Sequence, residues 1–71
     1  MKKINSKCGK YAVELLNANS DGTIMACAMM NDGQSYGGAS YWFTIGHYKT
    51  EQTALRQSIK KMATHNIELD I

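Results

Sequence analysis

The chain has 71 residues, a length for which we expect one small domain with one hydrophobic core. Its composition, 44% hydrophobic and 20% charged residues, is typical of a globular protein and excludes a disordered one. The net charge of +2 is too small to indicate a nucleic-acid partner, and no apolar run is long enough to predict a transmembrane helix.

The N-terminal residues 1–9 are basic, with lysines at positions 2, 3 and 7. No apolar run follows these charges, so we do not expect them to belong to a signal peptide. We therefore expect a cytoplasmic protein in which Cys8 and Cys27 are reduced thiols. Residues 1–9 are interpreted as a tail or an extra strand, and residues 10–71 as a single small α+β domain.

Two strands are predicted in the first half of this domain. Residues 10–16 alternate in polarity, and the period of two predicts a half-buried strand whose core side carries Tyr11, Val13 and Leu15. A turn follows at residues 17–22, with Gly22 able to adopt positive φ. Residues 23–30 are apolar on both faces, as is typical of a central strand.

A second turn is predicted at Asn31-Asp32-Gly33, followed by a loop over residues 34–39 that contains Gly37-Gly38. Residues 40–48 then form a third strand. Its side chains are assigned by alternation, with Tyr41, Phe43 and Ile45 facing the core and Trp42, Thr44 and Tyr48 facing the other side.

A helix is predicted from Thr50, whose side chain can cap the first turn. Its buried stripe is assigned to Ala54, Leu55, Ile59, Met62 and Ala63. Asn66 is predicted to end the helix in a left-handed conformation, and the alternation of residues 67–71 indicates a short strand. The fold class is therefore α+β: a three-stranded antiparallel sheet packed on one C-terminal helix, with a short fourth edge strand at the C-terminus as an option.

No catalytic or metal site is indicated. The four cysteines and histidines, Cys8, Cys27, His47 and His65, stand singly, whereas structural zinc sites bring ligands in close pairs. Neither thiol is marked as activated, and the chain has no glycine-rich phosphate loop, nucleophile elbow or paired carboxylates. We expect a protein that is not an enzyme and has no catalytic residues, metal or cofactor.

Two surfaces are candidates for binding. The assignment of the third strand puts Trp42 on the face opposite the helix, and a bare apolar face with aromatic side chains is typical of an interaction site. The residues predicted to bind a partner there are Trp42, Tyr48, Thr44, Met25 and Met29. The alternatives are that a terminal segment covers this face, or that the two faces are reversed.

The second candidate surface is basic and lies on the helix and just before it. Its cations, which could contact phosphates or an acidic partner, are Lys49, Arg56, Lys60 and Lys61. The same pattern is typical of a helix face that simply points to solvent.

The segment Asp21-Gly22-Thr23 before an apolar strand, and the later Tyr48-Lys49-Thr50-Glu51 before the helix residues Ala54-Leu55-Arg56, resemble very short phage and prophage proteins of strand–strand–helix plan. The resemblance covers about half of the chain. In outline the chain is also similar to the three-stranded DNA-binding domains of phage-type integrases and plant ethylene-response factors. Those domains read the major groove with Arg and Trp on the sheet, whereas the one arginine here, Arg56, lies on the helix.

These observations predict a non-catalytic accessory protein of phage or prophage type that binds and inhibits a host protein, one acting in nucleic-acid processing or defence. A small nucleic-acid-binding domain that uses the sheet or the basic helix is the first alternative. A homodimer that buries the Trp42 face against a second copy is another. No membrane partner is expected.

Overall fold

The order of the elements was established from a computed structural model, which describes residues 2–17, 20–31 and 40–71. Four strands precede one helix: β1 (Lys2–Asn5), β2 (Tyr11–Leu16), β3 (Ile24–Met30), β4 (Ser40–Tyr48) and α1 (Glu51–Ala63). The strands form one antiparallel sheet in the order β1-β2-β3-β4. The predicted α+β class, an antiparallel sheet with one C-terminal helix, is confirmed.

The fourth strand comes from the N-terminal end of the chain. β1 pairs with β2, and Ile4 lies opposite Val13 on the core side of the sheet. Among the described residues, the C-terminal segment contributes a single bridge, between Ser6 and Leu69, and forms no strand. The Lys7 N–H donates to the Glu68 carbonyl oxygen and the Asp70 N–H to the Asn5 carbonyl oxygen, each at 2.8 Å, so the C-terminal segment lies along the edge of β1 that faces away from β2. The optional C-terminal edge strand is thus present only as this short pairing, and β1 is the fourth strand of the sheet.

The core lies between the sheet and α1. It is built from buried side chains of all the strands except β4, of α1 and of the C-terminal segment: Ile4, Val13, Leu15, Ala26, Ala28, Ala54, Met62, Ile67 and Leu69. Alanines on β3 leave space for the helix to approach the sheet closely. Larger side chains at the margin, including those of Tyr11 and Leu55, pack against this core while remaining partly exposed.

The helix begins where the sequence predicts. The Thr50 hydroxyl oxygen accepts a hydrogen bond from the Thr53 N–H at 3.2 Å, which satisfies one of the open donors of the first turn. The fully buried row is Ala54, Ser58 and Met62. Ser58 is tolerated there because its hydroxyl donates to the Ala54 carbonyl oxygen at 2.7 Å.

The predicted helix stripe was wrong at two positions. Ile59 is 39% exposed and Ala63 is also exposed, so the buried row runs one position away from the apolar residues at these points. The reason is that Ser58, a polar residue predicted to face solvent by its polarity, is buried, because the Ala54 carbonyl oxygen accepts the hydrogen bond of its hydroxyl. Ile59 and Ala63 instead line a groove of about 510 Å³ between α1 and the C-terminal segment.

Two turns show the conformations that the sequence predicts. Gly22 adopts φ 81° in the connection before β3, and Asn66 adopts φ 60° after α1. The Ile67 N–H donates to the Met62 carbonyl and the Asn66 N–H to the Ala63 carbonyl, each at 3.0 Å, which is the Schellman pattern of a helix end. The predicted turn residues 32–33 and the loop over 34–39 lie outside the described residues.

The conformation of Asn66 yields a stability prediction. Replacing Asn66 by alanine is expected to lower the free energy of unfolding by about 1 kcal/mol, because a Cβ without a polar side chain is disfavoured at positive φ. Glycine at the same position is the matched control and should leave the stability unchanged or raise it slightly. Urea denaturation followed by circular dichroism measures both, and equal effects of the two substitutions would contradict the assignment of this helix end.

Candidate protein-binding surface

Two irregularities in the pairing of β3 with β4 decide which aromatic side chains face the helix. Ala26 lies opposite Gly46 while Cys27 lies opposite Thr44, so Ile45 has no partner in the register. A second shift between Ala28 and Met29 leaves Trp42 without a partner in the same way. Such a bulge adds one residue to one strand and interrupts the alternation of its side chains.

The predicted placement of Trp42 and Tyr48 opposite the helix is therefore wrong. The Trp42 ring stacks on Tyr11 at 5.4 Å between centroids and lies 4.9 Å from the Phe43 ring and 5.1 Å from the His65 ring. Tyr48 packs against the same core. The prediction failed because it carried an unbroken alternation through a strand that contains two bulges.

Tyr41 occupies the position predicted for Trp42, on the face of the sheet opposite the helix. It was assigned to the core, but it is 59% exposed and pairs with Met29 of β3. Its hydroxyl is hydrogen-bonded to the Thr44 hydroxyl at 2.8 Å, which holds the ring across the sheet surface. Tyr41 is thus the exposed aromatic residue of β4.

We call the face of the sheet that lies opposite α1 the outer face. Along β1, β2 and β3 its side chains alternate with those of the core, and on β4 they belong to the residues that pair with the outer-face residues of β3. In rows from β1 towards β4 they are Asn5, Ala12, Met29 and Tyr41; Lys3, Glu14, Cys27 and Thr44; and Leu16, Met25 and His47. Three of the predicted partner-binding residues, Thr44, Met25 and Met29, lie on this face.

Neither end of the described chain covers the outer face. β1 extends the sheet sideways, and Ile67 and Leu69 pack with Met62 on the helix side. Within residues 2–17, 20–31 and 40–71, no helix or strand lies over this face. Met29, which pairs with Tyr41, is partly exposed there, and so are Met25 and Leu16 two rows away, while Ala12 and Cys27 of the same face are buried.

Three of the four predicted cationic residues, Arg56, Lys60 and Lys61, lie on α1, on the other side of the sheet from the outer face, and Lys49 lies in the connection between β4 and α1. Lys49, Arg56, Lys60 and Lys61 are all exposed, and neither ion pair of the described chain involves them. Lys60 and Lys61 line a groove of about 260 Å³ between α1 and β4, together with Ile45, Tyr48, Gln57 and Thr64. The Lys61 ammonium also lies 5.9 Å from the centroid of the Phe43 ring, within cation–π range.

The two thiols have opposite environments. Cys8 is exposed, and hydrogen bonds, the strongest with the Ser6 hydroxyl at 3.2 Å, lower the pKa of its thiol below the usual value. Cys27 is 4% exposed, and burial raises the pKa of its thiol. No group of three His, Cys, Asp or Glu side chains in the described residues is arranged to hold a metal ion.

This difference predicts selective alkylation. At mildly alkaline pH we expect iodoacetamide to modify Cys8 much faster than Cys27, because only Cys8 combines exposure with a larger thiolate fraction. Peptide mapping by mass spectrometry measures the two rates in one sample. Replacing Ser6 by alanine should move the pH profile of Cys8 alkylation to higher pH, and an unchanged profile would contradict the role of the Ser6 hydroxyl.

In comparisons with known proteins, no family model, curated protein or solved structure matches the chain. The helix of the described chain has 13 residues and is too short and too polar to cross a bilayer.

Proposed function

We propose that this protein is a non-catalytic binding domain that attaches to another protein through the outer face of its sheet. The observation that carries the proposal is Tyr41, an aromatic side chain that is 59% exposed on a face with two partly exposed methionines. Aromatic and methionine side chains are enriched in the cores of protein interfaces. Methionine also adapts its shape to a partner surface at low cost.

The charges of the outer face favour a protein partner over nucleic acid. Nonspecific affinity for nucleic acid comes mostly from cations that contact phosphates. The described part of the outer face carries Lys3 at one edge and Glu14 next to it, and the one arginine of the chain lies on α1. A phosphate backbone on this face would meet a carboxylate where it needs cations.

The resemblance to short phage and prophage proteins supports a specific form of this proposal. In that form the protein is an accessory factor that binds a host protein acting in nucleic-acid processing or defence, and inhibits it by covering part of its surface. The outer face supplies the desolvated anchor, while the exposed cations near α1 orient the partner and speed association.

A photo-cross-linking experiment tests the proposal. The photoreactive amino acid p-benzoylphenylalanine replaces Tyr41 in one variant and Gln52, an exposed residue of α1, in a matched control. Each variant is irradiated in lysate of the host, and the adducts are identified by mass spectrometry. We expect one defined host protein to be attached from position 41 and to be absent from the position 52 sample.

The other outcomes are equally informative. The same adducts from both positions, or none from position 41, would contradict binding through the outer face. An adduct of twice the mass of the chain would replace a host partner by a second copy, and a size measurement of the purified protein in solution would then show a dimer.

A further inference from the structure

A second feature of β4 is its outer edge. β4 ends the strand order, so that in the described parts of the chain no strand pairs with the edge that faces away from β3. An unpaired edge presents backbone N–H and C=O groups that can pair with an added strand. Proteins protect such edges with short strands, charges or proline, but β4 continues for eight residues after Ser40, over residues 41–48, and the chain has no proline.

The opposite edge of the sheet differs in these respects. β1 has only four residues, two of which are Lys2 and Lys3, and backbone hydrogen bonds from the C-terminal segment already occupy this edge at Asn5 and Lys7. Short, lysine-bearing edge strands disfavour pairing with another chain. β4 is therefore the edge better suited to accept a strand. Its two bulges strengthen the local twist, which limits the added strand to a short segment.

The groove beside the β4 edge carries positive charge and therefore favours an acidic partner segment. The groove between α1 and β4 is lined by Ile45 and Tyr48 of the strand and by Lys60 and Lys61 of the helix. Both lysines are exposed, and the ion pairs of the described residues involve neither of them. Alternate side chains of a strand added to β4 would point to the helix side of the sheet, where this groove lies.

From this geometry we propose that the outer edge of β4 binds a short, extended, acidic segment of a partner protein as a fifth strand. The segment pairs with the β4 backbone, and its Asp or Glu side chains contact Lys60 and Lys61. This inference shares with the proposed function only the assumption that the partner is a protein. The binding site is different: it consists of the β4 edge and the groove between α1 and β4, not of the outer face.

The same charges argue against a second copy of this chain at the edge. A symmetric pairing of two β4 strands would bring two sets of Lys60 and Lys61 towards the shared axis. Like charges brought together across an interface disfavour it. An acidic segment instead meets opposite charges at the same place.

The test uses the full chain labelled with ¹⁵N and capped nine-residue peptides as probes, at low ionic strength. The first peptide alternates Glu with Val and Thr, and the second replaces each Glu by Lys. The third is the Glu peptide with N-methyl groups on alternate amides, which remove its strand hydrogen bonds. We expect only the first to shift the amide signals of β4 and of residues 57–64 in the nuclear magnetic resonance spectrum.

Matched variants test the charges. Replacing Lys60 and Lys61 together by glutamine should weaken binding of the Glu peptide by about tenfold or more, since two opposite-charge contacts are lost. Replacing Lys3 and Lys10 together by glutamine removes the same net charge elsewhere and should change the affinity by less than about twofold, through long-range screening alone. The amide spectra of both variants show directly whether the fold is kept.

Several results would overturn this inference. They are equal binding of the Lys peptide or the N-methylated peptide, signal shifts confined to other parts of the sheet, and no binding of the Glu peptide. Binding of a single-stranded oligothymidylate in its place would assign the lysines to nucleic acid. If the Glu peptide fails while position 41 still cross-links a host protein, the edge inference falls and the proposed function stands.

Discussion

Replacing Met62 by alanine is expected to lower the free energy of unfolding by about 2–5 kcal/mol, the usual range when a large buried side chain is removed from a core. The Met62 side chain is fully buried between α1 and the sheet, so the substitution leaves a cavity that small neighbours such as Ala26 and Ala28 cannot fill. A domain of this size has a total stability of only about 4–10 kcal/mol. The variant should therefore be partly unfolded near physiological temperature.

Urea denaturation followed by circular dichroism measures this effect. Ile59→Ala is the matched control on the same helix, because Ile59 is 39% exposed and its removal should cost about 1 kcal/mol. Equal losses for the two variants would show that the buried row of α1 does not run through Met62.

The second large effect is expected at Trp42. Replacing Trp42 by alanine should cost about 2–4 kcal/mol, because the ring packs against Tyr11, Phe43 and His65 beside the core. Replacing its neighbour Tyr41 by alanine should change the stability by about 0.5 kcal/mol or less, since that ring is mostly exposed.

Denaturation curves of the two variants, recorded under identical conditions, decide between the two assignments of β4. The alternation of polarity alone predicts the opposite order, with Tyr41 in the core and Trp42 exposed. A larger loss for Tyr41→Ala than for Trp42→Ala would therefore contradict the bulged register and restore the simpler one.

The sequence predicts most of the fold because its local signals are strong. Val13 and Leu15 lie on either side of Glu14 with the spacing of two that a strand requires, and Thr50 and Asn66 have the chemistry that helix ends require. β1 is harder to recognise, because Ile4 is the one apolar residue in Lys2–Asn5 and a single residue has no period. Its strand forms through pairing with β2, which is a nonlocal contact.

The candidate site could be predicted only in part, for a different reason. Met25, Met29 and Thr44 lie on the outer face because β3 is regular and Thr44 pairs with Cys27. The bulges at Trp42 and Ile45 depend on register against β3 and leave no mark in the sequence of β4 itself. A shift by one residue moves a side chain to the other face of the sheet. The bulged register therefore puts Tyr41 on the outer face and Trp42 against the core, the reverse of the prediction.

The two proposals together describe a small protein with two binding regions on one strand. The outer face supplies apolar and aromatic contacts around Tyr41, while the edge of β4 and the groove beside α1 supply backbone pairing and positive charge. These regions adjoin along β4, so one partner can contact both. Variants at Tyr41 and at Lys60 with Lys61 separate their contributions.

The most direct measurement is the affinity of the purified host protein that position 41 cross-links, determined by calorimetry for the wild-type chain, Tyr41→Ala and the control Gln52→Ala. We predict at least about a tenfold loss for Tyr41→Ala, as for an anchor residue of an interface, with unchanged stability and with no loss for the control. An affinity for Tyr41→Ala equal to that of the wild type would contradict partner binding through the outer face.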